Sequence, residues 1–235
     1  MVQPTKGDYL NSAQQKKLPV SAYFGYGAGQ VGGQILRDTP ALILPIYMTT
    51  VLGLDPAIGA LVILIAKIWV VIADPIAGVI SDKTNTRWGR RRPFILAGGL
   101  IAAVSFLMLF FVPDIKDQAL FIYMTAIYLL LNTGYSMFSV PYLTMASEMS
   151  DDANERTTIL SFRNAALAVG LLIGGALAPE IISRAIQDYG QTAQQAYEWM
   201  ALVVGSVIMP VSYTQLRAHE TDSYLVCRLL LEKRG

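Results

Sequence analysis

Five ionisable residues stand inside stretches that are otherwise apolar: Arg37, Asp38, Lys67, Asp74 and Arg163. A charge in hydrocarbon is costly and faces a bundle interior or an aqueous cavity, so such residues mark ion or solute pathways by default. Helical spacing sorts them into faces. Gln34 and Asp38 stand four apart and share one face; Lys67, Val70 and Asp74 follow at three and seven and share another. Asn132, Ser136 and Ser139 repeat at four and seven on a further segment. Together these side chains can line one polar cavity, with carboxylates for a cation or proton and amides, hydroxyls and guanidinium groups for a polar solute. Asp74 is too short to reach the interface along its own stem, and it precedes Pro75, which removes a backbone donor and frees a carbonyl. Arg37 is long enough either to snorkel to the outer interface or to point into the cavity. No recognisable catalytic motif surrounds Asp38 or Asp74, so an intramembrane enzyme is not expected.

The elements that position these residues follow from composition. The 235 residues are 54% hydrophobic and 15% charged, with a mean hydropathy of +0.45. A soluble domain averages about 25% charged residues, so this chain is too apolar for water and reads as an all-α, multi-pass protein of the cell membrane. Eighteen basic residues against 17 acidic ones give a net charge of +1, without the basic excess of a nucleic-acid binder. One Cys excludes an intrachain disulfide, and one His leaves the usual zinc ligand sets unassembled. No cofactor is implied.

A membrane-spanning helix needs about 20 mainly apolar residues. Qualifying stretches run over Tyr23–Val51, Ala57–Ile80, Phe94–Val112, Ala119–Met145 and Ile159–Ile182, and a sixth begins near Tyr197 and continues at Pro210. Glycines recur within them, at Gly25, Gly27, Gly29, Gly32 and Gly33, at Gly98 and Gly99, and at Gly170, Gly174 and Gly175, where close helix packing in lipid relies on small residues. Basic residues collect in cytoplasmic loops. Lys6, Lys16 and Lys17 precede the first span, Lys83 to Arg92 hold five more between spans two and three, and Arg156 follows span four; the opposite loops hold Lys116 and Arg184. The amino terminus is therefore expected inside, with residues 1–19 a cytoplasmic tail and 20–210 a six-span unit.

The loop after span two places Gly78, Asp82, Arg87, Gly89, Arg90 and Arg91 at fixed offsets. An inside anchor explains the arginines but not Gly78, Asp82 and Gly89. This pattern resembles the signature loop of the major facilitator superfamily, which implies a conformational role for those six residues. A finer resemblance, to the glycoside-pentoside-hexuronide:cation symporters, rests on Gly25-Tyr-Gly27, Lys67-Ile-Trp69, Asp74-Pro75, Arg87-Trp-Gly89-Arg90, Tyr135-Ser-Met-Phe-Ser-Val-Pro141 and Phe162-Arg163. It implies the six-span amino-terminal half of a twelve-span fold, with a second half as partner, and transport of a sugar or glycoside with a coupling cation. The family's four acidic positions fall here on Gln34, Val70, Asp74 and Ser139; its basic positions fall on Lys67 and Arg163. The resemblance thus implies a solute site at Gln34, Ser139 and Arg163 and a coupling site at Asp74 and Lys67, and Asp38, one turn from Gln34, is added to both as a replacement charge. With one carboxylate retained, a proton is expected as coupling ion rather than Na⁺. A lipid-handling or non-accumulating protein of the same fold is the second expectation.

The segment Val211–Gly235 differs from everything before it, placing Arg217, His219, Glu220 and Asp222 where apolar residues should continue. Val211–Thr221 is similar to a translated sequencing adapter, Val-Ser-Tyr-Thr-His-Leu-Arg-Ala-His-Glu-Thr, with Gln215 for the first His. Residues 211–235 are therefore expected to be non-native, which sets His219 and Cys227 aside, and the native frame is expected to continue beyond a sixth span cut short.

Overall fold

The computed structural model describes residues 20–84, 92–149 and 152–206. Residues 1–19 and 211–235, and the motif positions Arg87, Gly89, Arg90 and Arg91, lie outside the described residues. Those described form six helices and no strand. Helix α1 is Val20–Ile46 and continues as a π-helical turn, Tyr47–Val51. Then follow α2 (Pro56–Lys83), α3 (Arg92–Phe110), α4 (Asp117–Met149), α5 (Ala153–Gln187) and α6 (193–206).

Local chemistry sets the ends of these helices. Asp55 caps α2, its side chain accepting from the Ala57 N–H at 2.8 Å, with Pro56 in the first turn where its missing donor costs nothing. Asp152 caps α5 in the same way through Asn154. Gly53 and Gly190 take φ of 70° and 60° in the outer connections, a conformation glycine adopts without strain. In the widened turn after Pro45, the Thr49 hydroxyl donates to the Pro45 carbonyl and the Thr50 hydroxyl to that of Ile46, supplying donors the backbone ladder lacks there.

Four of these helices are long and apolar enough to cross a membrane: Pro56–Lys83, Pro93–Phe110, Asp117–Thr144 and Ala153–Gln187. Helix α1 is less apolar because Gln30, Gln34, Arg37 and Asp38 interrupt it. At 1.5 Å per residue α2 is about 42 Å long, more than the roughly 30 Å of hydrocarbon it must span.

The helices do not pack mainly with their neighbours in sequence. Helix α1 lies along α5, and α4 packs against both α2 and α3. Tyr23 stacks on Phe162, Gly27 meets Phe162 and Ala166, and Gly170 meets Val31 and Gln34, so α1 and α5 run parallel. Helices α3 and α4 run antiparallel and touch backbone to backbone: a Cβ at Gly134 would lie 2.6 Å from the Ala102 nitrogen, and one at Gly98 would lie 2.7 Å from the Gly134 carbonyl oxygen. Gly78 is packed more loosely. A Cβ there would meet only Val140, at an ordinary 3.5 Å. At the outer end, Tyr47, Phe110 and Tyr197 join the π-turn, α3 and α6, with the Tyr47 hydroxyl donating to the Phe110 carbonyl at 3.0 Å.

Candidate functional site

The polar residues of α1 converge with those of α2 and α4 in the middle of the bundle. Gln34 Nε2 donates to Asp38 Oδ2 at 2.5 Å, which fixes the face proposed from their spacing. The Arg37 guanidinium lies over the Tyr135 ring of α4, 5.4 Å from its centroid, and within Coulombic reach of Asp38 and of Asp74 on α2. Of the two directions open to Arg37, the structure takes the inward one. Tyr128, two turns along α4 from Tyr135, faces the same Arg37 and Asp38 charges. Among the described residues no direct ion pair ties Arg37 to either carboxylate. One cation and two carboxylates leave the cluster one positive charge short of neutrality, which a single proton or monovalent cation supplies.

The remaining expected residues are distributed around this centre. Ser139 is half-buried on α4, one turn past Tyr135. Lys67 is exposed on α2, two turns nearer the outer end than Asp74, with Val70 half-buried between them. Arg163 is half-buried on α5 at the level of Gly27, about two turns from Gln34, so the structure does not place it beside Asp38. It stands within Coulombic reach of Tyr26 and Tyr142, whose rings stack 4.7 Å apart and whose hydroxyls each donate to the other residue's carbonyl. Its Nε has no hydrogen-bond partner among the described residues. Gly78 and Asp82 close the cytoplasmic end of α2, Gly78 half-buried and Asp82 exposed.

The stripe of α4 divides. The Asn132 amide donates to the Tyr128 carbonyl of its own helix at 2.7 Å, and Ser136 is buried with its hydroxyl unpartnered among the described residues, so only Ser139 of the three is open to a cavity. Two contributors were not singled out from sequence. Gln30 is fully buried, with both amide atoms unpartnered among the described residues, one turn from Gln34 on the same side of α1. Tyr135 supplies the ring under Arg37. The spacing of four between Gln30 and Gln34 is the signal that could have found the first. Among the described residues no group of three or more His, Cys, Asp or Glu is gathered to hold a metal.

Residues 25–224 match the family model described as MFS/sugar transport protein. The chain belongs to that family. This is a multi-pass membrane family, and the match reaches past Pro210 into the segment read above as a tail. Among curated members, an uncharacterized symporter of Synechocystis is 32% identical over 95% of this chain and 42% of its own length. The putative glycoside/cation symporter YagG of Escherichia coli is 29% identical over 71% of this chain and 36% of its own. The sodium-dependent lysophosphatidylcholine symporter 1 of Gallus gallus is 28% identical over 90% and 40%. The chain thus spans about two fifths of the length of these relatives, all named as symporters and none as an enzyme. A solved structure from work on substrate recognition in proton-dependent oligopeptide transporters superposes with a TM-score of 0.70 at 17% identity, covering 84% of this chain and 41% of that one, a likeness of fold.

Proposed function

We propose that this family member forms one bundle of a secondary transporter that moves a sugar, glycoside or similar small polar solute across the membrane by alternating access, coupled to a proton. The observation that carries the reading is the Arg37, Asp38, Asp74 cluster held against Tyr135 at mid-bundle. Carriers of this architecture bind near the midplane, where two bundles rock about the site. A second bundle supplies the facing wall. Gln34, Asp38 and Ser139 offer hydrogen-bond partners to hydroxyl groups of the solute, and Arg163 extends that polar path toward the cytoplasm. Asp74, which shares Arg37 with Asp38, takes up the coupling ion, and Lys67 holds the outer approach. A hard metal cation gathers several oxygen ligands, and Val70 contributes none, so one proton suits the cluster better than Na⁺. The loop through Gly78, Asp82, Arg87, Gly89, Arg90 and Arg91 serves the conformational change.

The test is uptake into proteoliposomes by the full-length transporter. Asp74→Asn is expected to abolish uphill accumulation driven by a pH gradient while the protein still inserts. Undiminished uphill uptake by this variant refutes the coupling role. A second reading, transport of a lysolipid, draws on the 28% identity to a lysophosphatidylcholine symporter and on apolar Val70 in the cavity wall. Parallel uptake of labelled glycoside and labelled lysolipid separates the two.

A further inference from the structure

Between the start of α2 and the start of α4 lies a crevice of about 710 Å³. Both helices begin here, at Pro56 and Asp117, on the side opposite the basic loop after α2, so the crevice sits where hydrocarbon gives way to outer water. Its rim is charged and its wall apolar. Asp55, Lys116 and Asp117 form the rim, all exposed. Ile58 and Leu61, one turn apart on α2, and Phe121, one turn down α4 from Asp117, form a wall that descends toward the membrane interior. Leu61 leaves 49% of its surface uncovered.

The chain itself fixes the Asp55 side chain and the backbone at Asp117. Asp55 is fixed by its cap on Ala57. Asp117 takes φ of 53°, a left-handed conformation uncommon for a non-glycine residue, as it opens α4. Lys116, just before it, makes no ion pair among the described residues. Two carboxylates beside one ammonium suit a headgroup that carries both signs. A phosphate finds Lys116, a lipid ammonium finds Asp55 and Asp117, and the acyl chains follow Ile58, Leu61 and Phe121 downward. An anionic lipid without an ammonium meets two like charges, and a diacylglycerol has nothing for Lys116. We propose that this crevice is a binding site for a zwitterionic phospholipid of the outer leaflet. The proposal does not depend on what the protein transports.

Native mass spectrometry of the purified protein, titrated separately with phosphatidylethanolamine, phosphatidylglycerol and diacylglycerol, tests it. One phosphatidylethanolamine per chain is expected to persist where the other two are lost, and Lys116→Glu is expected to weaken that retention roughly tenfold. Equal retention of the three lipids, or retention unchanged in the variant, overturns the site. On the unmodified chain, a phosphatidylethanolamine with a diazirine close to its headgroup is expected to label residues 52–61 and 115–121. Label spread over the exposed apolar faces of α2 and α5, the pattern of annular lipid, overturns it equally.

Discussion

A buried amide with no partner costs roughly 1–3 kcal/mol, because it has left water without replacing the hydrogen bonds it made there. Gln30 carries two such atoms, so the fold tolerates it against its own stability. Gln30→Leu, similar in volume and free of polar atoms, is expected to raise the thermal unfolding temperature in detergent, by about 1 kcal/mol of stability or more. A lowered unfolding temperature would mean that the amide has a structural partner. If the variant also transports poorly, the amide serves the solute. At this scale the sequence was informative about Gln34 and Asp38, whose spacing of four puts them on one face, where they hydrogen-bond. It was silent on Arg37, because a long side chain reaches several places from one Cα. The choice is made by the Tyr135 ring, distant in sequence, which holds the guanidinium over its face.

Helix boundaries were legible where apolar and helical ranges coincide, and less so where they part. The stretch Ile159–Ile182 grows to Ala153–Gln187 because a polar first turn, capped by Asp152, is helical without being apolar. Phe94–Val112 stops at Phe110, where the chain leaves the helix. Glycine spacing announced close contacts but not which helices make them. Gly98 finds Gly134, which attracted no notice as a lone glycine in α4, while Gly78 in a conspicuous motif finds only the end of a valine side chain. This difference is measurable. Gly134→Ala pushes a methyl group onto the Ala102 backbone, which cannot move aside as a side chain can, and is expected to cost about 1–3 kcal/mol. Gly78→Ala meets Val140 at ordinary distance and is expected to be neutral or slightly stabilising through helix propensity. Comparing both unfolding temperatures checks this, and equal losses would contradict the packing described.

Across the whole molecule, orientation follows from where Lys and Arg collect, and labelling can test it. In a Cys227→Ser background, Tyr189→Cys in the outer turn after α5 is expected to react with a membrane-impermeant maleimide in intact cells. Asp82→Cys is expected to react only after permeabilisation. The reverse pattern would invert the protein. The pairing of α1 with α5 bears on how the chain is made. Tyr23 and Glu155, joined by a 2.8 Å hydrogen bond, are 132 residues apart in sequence. At about 5–20 residues per second, on the order of ten seconds pass between synthesis of the two. During that interval Gln30, Gln34, Arg37 and Asp38 have entered the membrane or its threshold without the helices that shield them. Helix α1 is thus one that lipid alone receives at a cost, ahead of the helices that shield it. Its polar face is covered only when α4 and α5 arrive, so the order in which the helices are made bears on this fold as well as the hydropathy of each.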